Sequence, residues 1–167
     1  DFDFDENYND ADFDFNVAAV ENLRESLINQ VNDLSLNDEQ KEIALIIVEC
    51  IDESGQLLEE LDEIEEMCSY KYSISAIRYV LKDIVQKLEP IGVGFRDFKE
   101  CIKIQINSKK FNHKIKALCQ EILCQNGSES LDEIINTFQK RGYAVKDIEK
   151  AMNEIKSCDL SPGLNYE

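Results

Sequence analysis

Ser75-Ala76-Ile77-Arg78-Tyr79-Val80-Leu81-Lys82-Asp83-Ile84-Val85-Gln86-Lys87-Leu88-Glu89-Pro90-Ile91-Gly92-Val93-Gly94-Phe95-Arg96-Asp97 is the stretch that decides the fold. Its apolar residues Ile77, Val80, Leu81, Ile84, Val85 and Leu88 recur at three- and four-residue intervals, which predicts a helix from about Ser75 to Leu88. Pro90 then disfavours the helical region for Glu89, and Gly92 and Gly94 permit backbone angles that other residues resist. Asp97 can cap a following helix that carries Phe98, Cys101, Ile102 and Gln105. The glycine pair is not a phosphate cradle, because no Lys-Ser/Thr pair follows and no strand precedes it.

Upstream the period is also helical. Val20, Leu23, Leu27, Val31 and Leu34 form one apolar stripe. A second helix starts near Asn37, with Gln40 three residues on in a capping-box arrangement. It buries Ile43, Ile46, Ile47, Cys50 and Ile51 and runs to Gly55, placed as a left-handed cap. A third, acidic helix covers about Leu58 to Cys68, with Leu61, Ile64 and Met67 or Cys68 facing in. Its run Glu59, Glu60, Asp62, Glu63, Glu65 and Glu66 is read as a solvated face. Downstream of a basic connector, Asn107 to His113, three more helices follow. These are about Lys114 to Gln125 (Ile115, Leu118, Cys119, Ile122), Ser130 to Gly142, and Val145 to Ser157 (Ile148, Ala151, Met152, Ile155). The expectation is an all-α protein of two small helical subdomains, about five plus three helices. Residues 17–107 and 108–167 are the two, and an acidic segment, 1–16, precedes them. That segment alternates acid and aromatic, as in Asp1-Phe2-Asp3-Phe4-Asp5 and Asp12-Phe13-Asp14-Phe15, and is expected to be flexible on its own.

Composition narrows the function. The chain of 167 residues is 43% hydrophobic, which is enough for a core, and carries a formal net charge of −17. That charge argues against a surface that binds nucleic acid all over. The balance is uneven: seven acids and no base stand in the first fifteen residues, which leaves −10 for the rest. From Arg96 to Lys116 there are seven bases against two acids. This stretch can meet an acidic protein surface, DNA phosphate or the chain's own acidic start, and the sequence leaves all three open. The six cysteines, Cys50, Cys68, Cys101, Cys119, Cys124 and Cys158, include no CxxC pair and read as buried reduced thiols. His113 is the sole histidine, so neither a zinc site nor a His-based acid–base constellation is expected. No cofactor is called for. No signal peptide or membrane-spanning apolar run appears, which makes the cytoplasm the default compartment.

The stretch from Leu88 through Ile106 closely resembles the signature of the sigma-54 core-binding domain, Pro-x-Gly-Val-Gly-Ala-Arg-Asp-Leu-x-Glu-Cys-Leu-x-x-Gln-Leu. Every glycine and polar position of that pattern is matched by Pro90, Gly92, Gly94, Arg96, Asp97, Glu100, Cys101 and Gln105. The departure is Phe95, where the family usually has Ala, so this loop must either pack a larger group or expose it. Leu23-Arg24-Glu25-Ser26-Leu27-Ile28-Asn29-Gln30 resembles the family's opening helix. Ile51-Asp52-Glu53-Ser54-Gly55-Gln56-Leu57 resembles its Ile-Asp-x-x-Gly-Tyr-Leu turn, with Gln56 for Tyr. Near the end, Cys158-Asp159-Leu160-Ser161-Pro162-Gly163 resembles Leu-Asn-Pro-x-Pro-Gly less closely.

The resemblance implies a non-catalytic module of a bacterial transcription initiation factor. It would dock on core RNA polymerase, chiefly the beta and beta-prime subunits including the flap region. Through the parent factor it would serve promoter DNA and an ATP-driven activator. It further implies that an activator-responsive region precedes residue 1 and that a promoter-reading helix-turn-helix follows residue 167. The expected partner-facing residues are Arg96, Lys99, Lys103 and Gln105. Pro90, Gly92, Gly94, Asp97 and Glu100 are expected to shape the motif. Arg96, Asp97 and Glu100 can equally serve as local braces of the turn. A generic helical adaptor is the competing reading, and it predicts no affinity for core polymerase.

Overall fold

In the computed structural model the described residues are 22–110, 112–125 and 129–164. The acidic segment 1–16 lies outside them. Among the described residues the protein is all-helical, with eight α-helices, one 3-10 turn, two isolated β-bridges and no strand.

One compact unit takes the chain up to Asp97 and again from Ser161; the other is Phe98–Leu160. The first unit holds α1 (residues 22–33), α2 (Asp38–Glu49), α3 (Leu61–Met67), α4 (Ile74–Asp83) and the 3-10 turn Val85–Lys87. Its core contains Leu23, Leu27 and Val31 from α1, Ile43, Ala44, Ile47 and Val48 from α2, Ile64, and Ile77, Val80 and Leu81 from α4. Ile84, Val85 and Leu88 extend that core beyond α4, so the whole stripe read from Ile77 to Leu88 is buried. The caps explain where the helices begin. Asn37 accepts from the Gln40 amide while the Gln40 side chain accepts from the Asn37 amide, a complete capping box. Ser73 accepts from the Ala76 amide at the head of α4.

The second unit holds α5 (Phe98–Ser108), α6 (His113–Leu123), α7 (Leu131–Lys140) and α8 (Val145–Lys156). Asn112 and Ser130 cap α6 and α7 by accepting from the Ile115 and Glu133 amides. Ile106, Ile115, Leu118, Cys119, Ile122, Phe138, Ile148 and Ala151 make its core.

Several expectations are corrected. The helices divide four and four, because Ile106 of α5 joins the core of the last three helices. The division therefore falls after Asp97 and not after Asn107, and the segment from Ser161 belongs to the first unit. Gly55 has φ +95 but does not cap α2, which stops at Glu49; it closes a separate turn. Leu34 is exposed instead of facing in, and of the pair Met67 or Cys68 it is Cys68 that faces inward at the end of α3; Phe98 is exposed at the start of α5. Cys124 is exposed and Cys158 half-buried, whereas the other four thiols are buried.

Candidate functional site

Three of the motifs meet in the first unit, around the turn Asp52–Leu57. Asp52 organises that turn. Its Oδ1 accepts from the Ser54 amide (3.0 Å), the Ser54 hydroxyl (2.7 Å) and the Gln56 amide (2.9 Å). Its own amide donates to the Gln56 carbonyl at 2.9 Å. A short acceptor side chain one turn ahead of a glycine can do this and little else can.

The Pro-Gly loop lies along the same turn. The Gly94 amide donates to the Gly55 carbonyl (2.8 Å), and the Leu57 amide donates to the Phe95 carbonyl (2.8 Å). The Gln56 side chain donates to the Arg96 carbonyl at 3.1 Å. Gly94 has φ +84, and a Cβ there would stand 3.3 Å from Val85 Cγ1 and Gln86 Cγ. Both its backbone angle and its crowding therefore ask for glycine. Gln86 is buried, and its Nε2 donates to the Gly94 carbonyl at 3.0 Å. Phe95 is 1% exposed, so the larger residue packs inward rather than pointing to solvent.

Gly163 completes the junction. Its amide donates to the Ser54 carbonyl at 2.9 Å, and a Cβ would lie 2.4 Å from the Glu53 carbonyl oxygen. The loss of similarity ahead of Pro162 thus leaves the docking glycine in place.

A glutamine at the other end of the loop does related work. The Gln30 side chain donates to the Glu89 carbonyl (2.6 Å) and accepts from the Glu89 amide (2.8 Å), fixing the residue before Pro90. Gln105 does the same for Asp159 in the second unit, donating at 2.6 Å and accepting at 2.8 Å. The Cys101 thiol also donates to the Asp159 carbonyl, at 3.3 Å. Burial pushes the Cys101 thiol up to about 11, so it is an uncharged structural group near neutral pH. Gln30 and Gln86 were missed as functional positions by the sequence reading. Neither breaks the apolar stripe of its segment, so local spacing gave no signal for them.

The expected partner-facing residues are placed as follows. Arg96 is half-buried and belongs to the first unit. Lys99, Lys103 and Gln105 sit on α5 in the second, with Lys99 and Lys103 exposed. Gln105 spends its side-chain amide on Asp159, and Lys99 Nζ donates to the Gln125 carbonyl at 3.1 Å. Of the shaping residues, Gly92 and Gly94 are buried, Pro90 and Glu100 half-buried and Asp97 exposed just ahead of α5. Part of the basic stretch is neutralised inside its own unit. Lys109 pairs with Glu154 at 2.9 Å and Lys114 with Asp147 at 3.2 Å, while Lys116 donates to the Asn107 carbonyl. Among the described residues no group of three or more His, Cys, Asp or Glu could hold a metal ion. No helix among them is long and apolar enough to cross a membrane.

The family model for the sigma-54 factor core-binding domain matches residues 12–167. The chain belongs to that family. It is 31% identical over 155 residues to the RNA polymerase sigma-54 factor of Escherichia coli K12, covering 89% of this chain and 31% of the relative. It is 28% identical over 151 residues to that of Salmonella typhimurium, with the same two coverages of 89% and 31%. To that of Shewanella violacea it is 38% identical over 98 residues, covering 58% of this chain and 20% of the relative. The chain thus spans a fifth to a third of the length of these curated relatives. The junction of Asp52, Gly94 and Gly163 belongs to the first unit of a sigma-54 core-binding domain. The signature continues across Asp97 into α5, so one motif serves both units of the domain.

Proposed function

We propose that this chain is the segment by which a sigma-54 factor docks on core RNA polymerase, through the beta and beta-prime subunits. The observation that carries the reading is the family match over residues 12–167, which includes the loop and α5 signature. Exposed Lys99 and Lys103 of the second unit, and Arg96 of the first, supply cationic contacts to the polymerase, and Gln105 holds Asp159 past the end of α8. Charge of this kind speeds encounter and sets register more than it raises affinity. The module is non-catalytic and works in the cytoplasm, where the polymerase is. Promoter DNA and the ATP-driven activator engage the parent factor through its other regions. The acidic residues 1–15 act as a nucleic-acid mimic toward a basic channel of the polymerase, as their seven acids and no base suggest.

The test is binding to purified core polymerase at moderate salt, with Arg96→Ala and Lys103→Ala beside the wild type. We expect the wild type to bind and each variant to weaken by severalfold, mostly through slower association. No wild-type binding would favour a generic helical adaptor. Undiminished affinity in both variants would remove these cationic contacts from the interface. Deleting residues 1–15 is expected to lower affinity and flatten its salt dependence; no change in either would end the mimic hypothesis.

A further inference from the structure

The first unit carries an exposed apolar cluster that the reading above does not use. Leu58 is 60% exposed, Met67 51% and Tyr70 67%. Leu58 and Met67 both stand against Cys50: the Leu58 amide donates to the Cys50 carbonyl at 3.4 Å, and Cys50 Sγ lies 3.7 Å from Met67 Sδ. Tyr70 follows Met67 by three residues, in the turn that ends α3.

The backbone of that turn is unusual. Ser69 and Tyr70 have φ of 56° and 58°, two successive left-handed residues of which neither is glycine. The Ser69 amide donates to the Glu66 carbonyl and the Tyr70 amide to the Glu65 carbonyl, which closes the helix. Stopping a helix needs only a glycine here, as Gly142 (φ +98) supplies after α7. Here a tyrosine occupies this strained region instead, with its side chain exposed. Strain of this kind collects where a side chain must be presented.

The surroundings select the partner. Residues 50–70 contain no Lys or Arg, and Glu60, Asp62, Glu63 and Glu66 are exposed beside the cluster. Lys71, the next base, is tied to Glu42. An apolar centre rimmed by acids is the anatomy of a protein–protein interface. Its charge repels nucleic acid and anionic lipid and attracts a surface rimmed with Lys and Arg. Tyrosine is among the residues that most often carry the energy of such contacts.

We propose that Leu58, Met67 and Tyr70, with the acidic face of α3, form a second docking face of this domain for a basic-rimmed apolar surface of core polymerase. The proposal rests on the polymerase reading, and its test separates the two. The full chain, its Met67→Ala/Tyr70→Ala variant and its Glu63→Gln/Glu66→Gln variant are titrated against purified core polymerase at two salt concentrations. Thermal melts of the three chains check that these exposed substitutions leave the fold intact. The apolar double variant should bind at least tenfold more weakly. The charge variant should bind severalfold more weakly at low salt and show a flatter salt dependence. Wild-type binding with the apolar variant within twofold overturns the docking face and leaves the polymerase reading standing. No wild-type binding overturns both. Sedimentation that finds a wild-type dimer, made monomeric by Met67→Ala/Tyr70→Ala, overturns it too, by giving the face to a second copy.

Discussion

Replacing Gly163 by alanine should undock the segment from Ser161 onward from the Asp52 turn. The added Cβ would lie 2.4 Å from the Glu53 carbonyl oxygen, 2.7 Å from the Gly55 nitrogen and 2.8 Å from the Ser54 carbonyl carbon. All three are backbone atoms of a turn already fixed by Asp52, so the turn cannot yield cheaply. Undocking therefore sets the limit of the cost. It gives up the hydrogen bond from the Gly163 amide to the Ser54 carbonyl, about 1 kcal/mol. It also re-exposes the buried Pro162, about 1 kcal/mol of apolar burial. The sum is about 2 kcal/mol, or at roughly 4 °C per kcal/mol a fall in Tm of about 8 °C. Thermal denaturation by circular dichroism measures it, and amide exchange at Gly163 reports the undocking directly. Gly142→Ala is the control: a Cβ there meets nothing within 4 Å, and only its φ of +98° resists. That substitution should cost about 1 kcal/mol. The reasoning is refuted if Gly163→Ala lowers Tm no further than Gly142→Ala, or if the residue 163 amide keeps its protection.

Gln105→Ala removes both hydrogen bonds to Asp159 and should destabilise by about 1–2 kcal/mol, with faster exchange of the Asp159 amide; an unchanged melt would deny the clamp. Ser69→Gly relieves one left-handed residue and should stabilise by about 1 kcal/mol in a urea titration, and a loss of stability would show that Ser69 makes contacts outweighing the strain. Burial pushes the thiols of Cys50, Cys101 and Cys119 up to about 11, from 9.0. The unfolded chain therefore releases these protons first: their contribution to stability is intact below about pH 9 and falls as pH rises toward about 11, which alkaline unfolding curves would show. At pH 8 a thiol reagent should label exposed Cys124 well before those three, and equal labelling rates would contradict their burial.

Helix content was legible because apolar stripes recur along the chain and several helices also open on a side-chain cap, though α3 and α8 do not. Asn37 with Gln40 and Ser130 are cases where both signals agree and the structure follows them, whereas the stripe from Ile77 to Leu88 is buried throughout although its helix stops at Asp83 and gives way to a 3-10 turn. Helix ends were less legible. The α2 stripe reaches Ile51, yet the helix stops at Glu49, because Asp52 draws the following amides into its own turn. Phe98 lies on an apolar-looking face but is 58% exposed, since periodicity gives a direction and not a neighbour. The paired signature positions hid different tasks. Gln105 reads as a polar surface residue until its amide is seen bonded on both sides to Asp159.

The sequence by itself determined the helical class, the caps at Asn37 and Ser130, the charge division between an acidic start and a basic middle, and the family. Those depend on local spacing and on a motif carried in contiguous residues. The tertiary structure alone decided that α5 belongs with the last three helices, and that Gly163 returns to the Asp52 turn. It also decided that Gly94 must be glycine for room as well as for angle. The first two are meetings of residues far apart in the chain, and the third depends on how the loop folds back onto Val85 and Gln86 after α4 has ended. Nothing in a spacing of three or four can fix where a carbonyl more than a hundred residues away will stand.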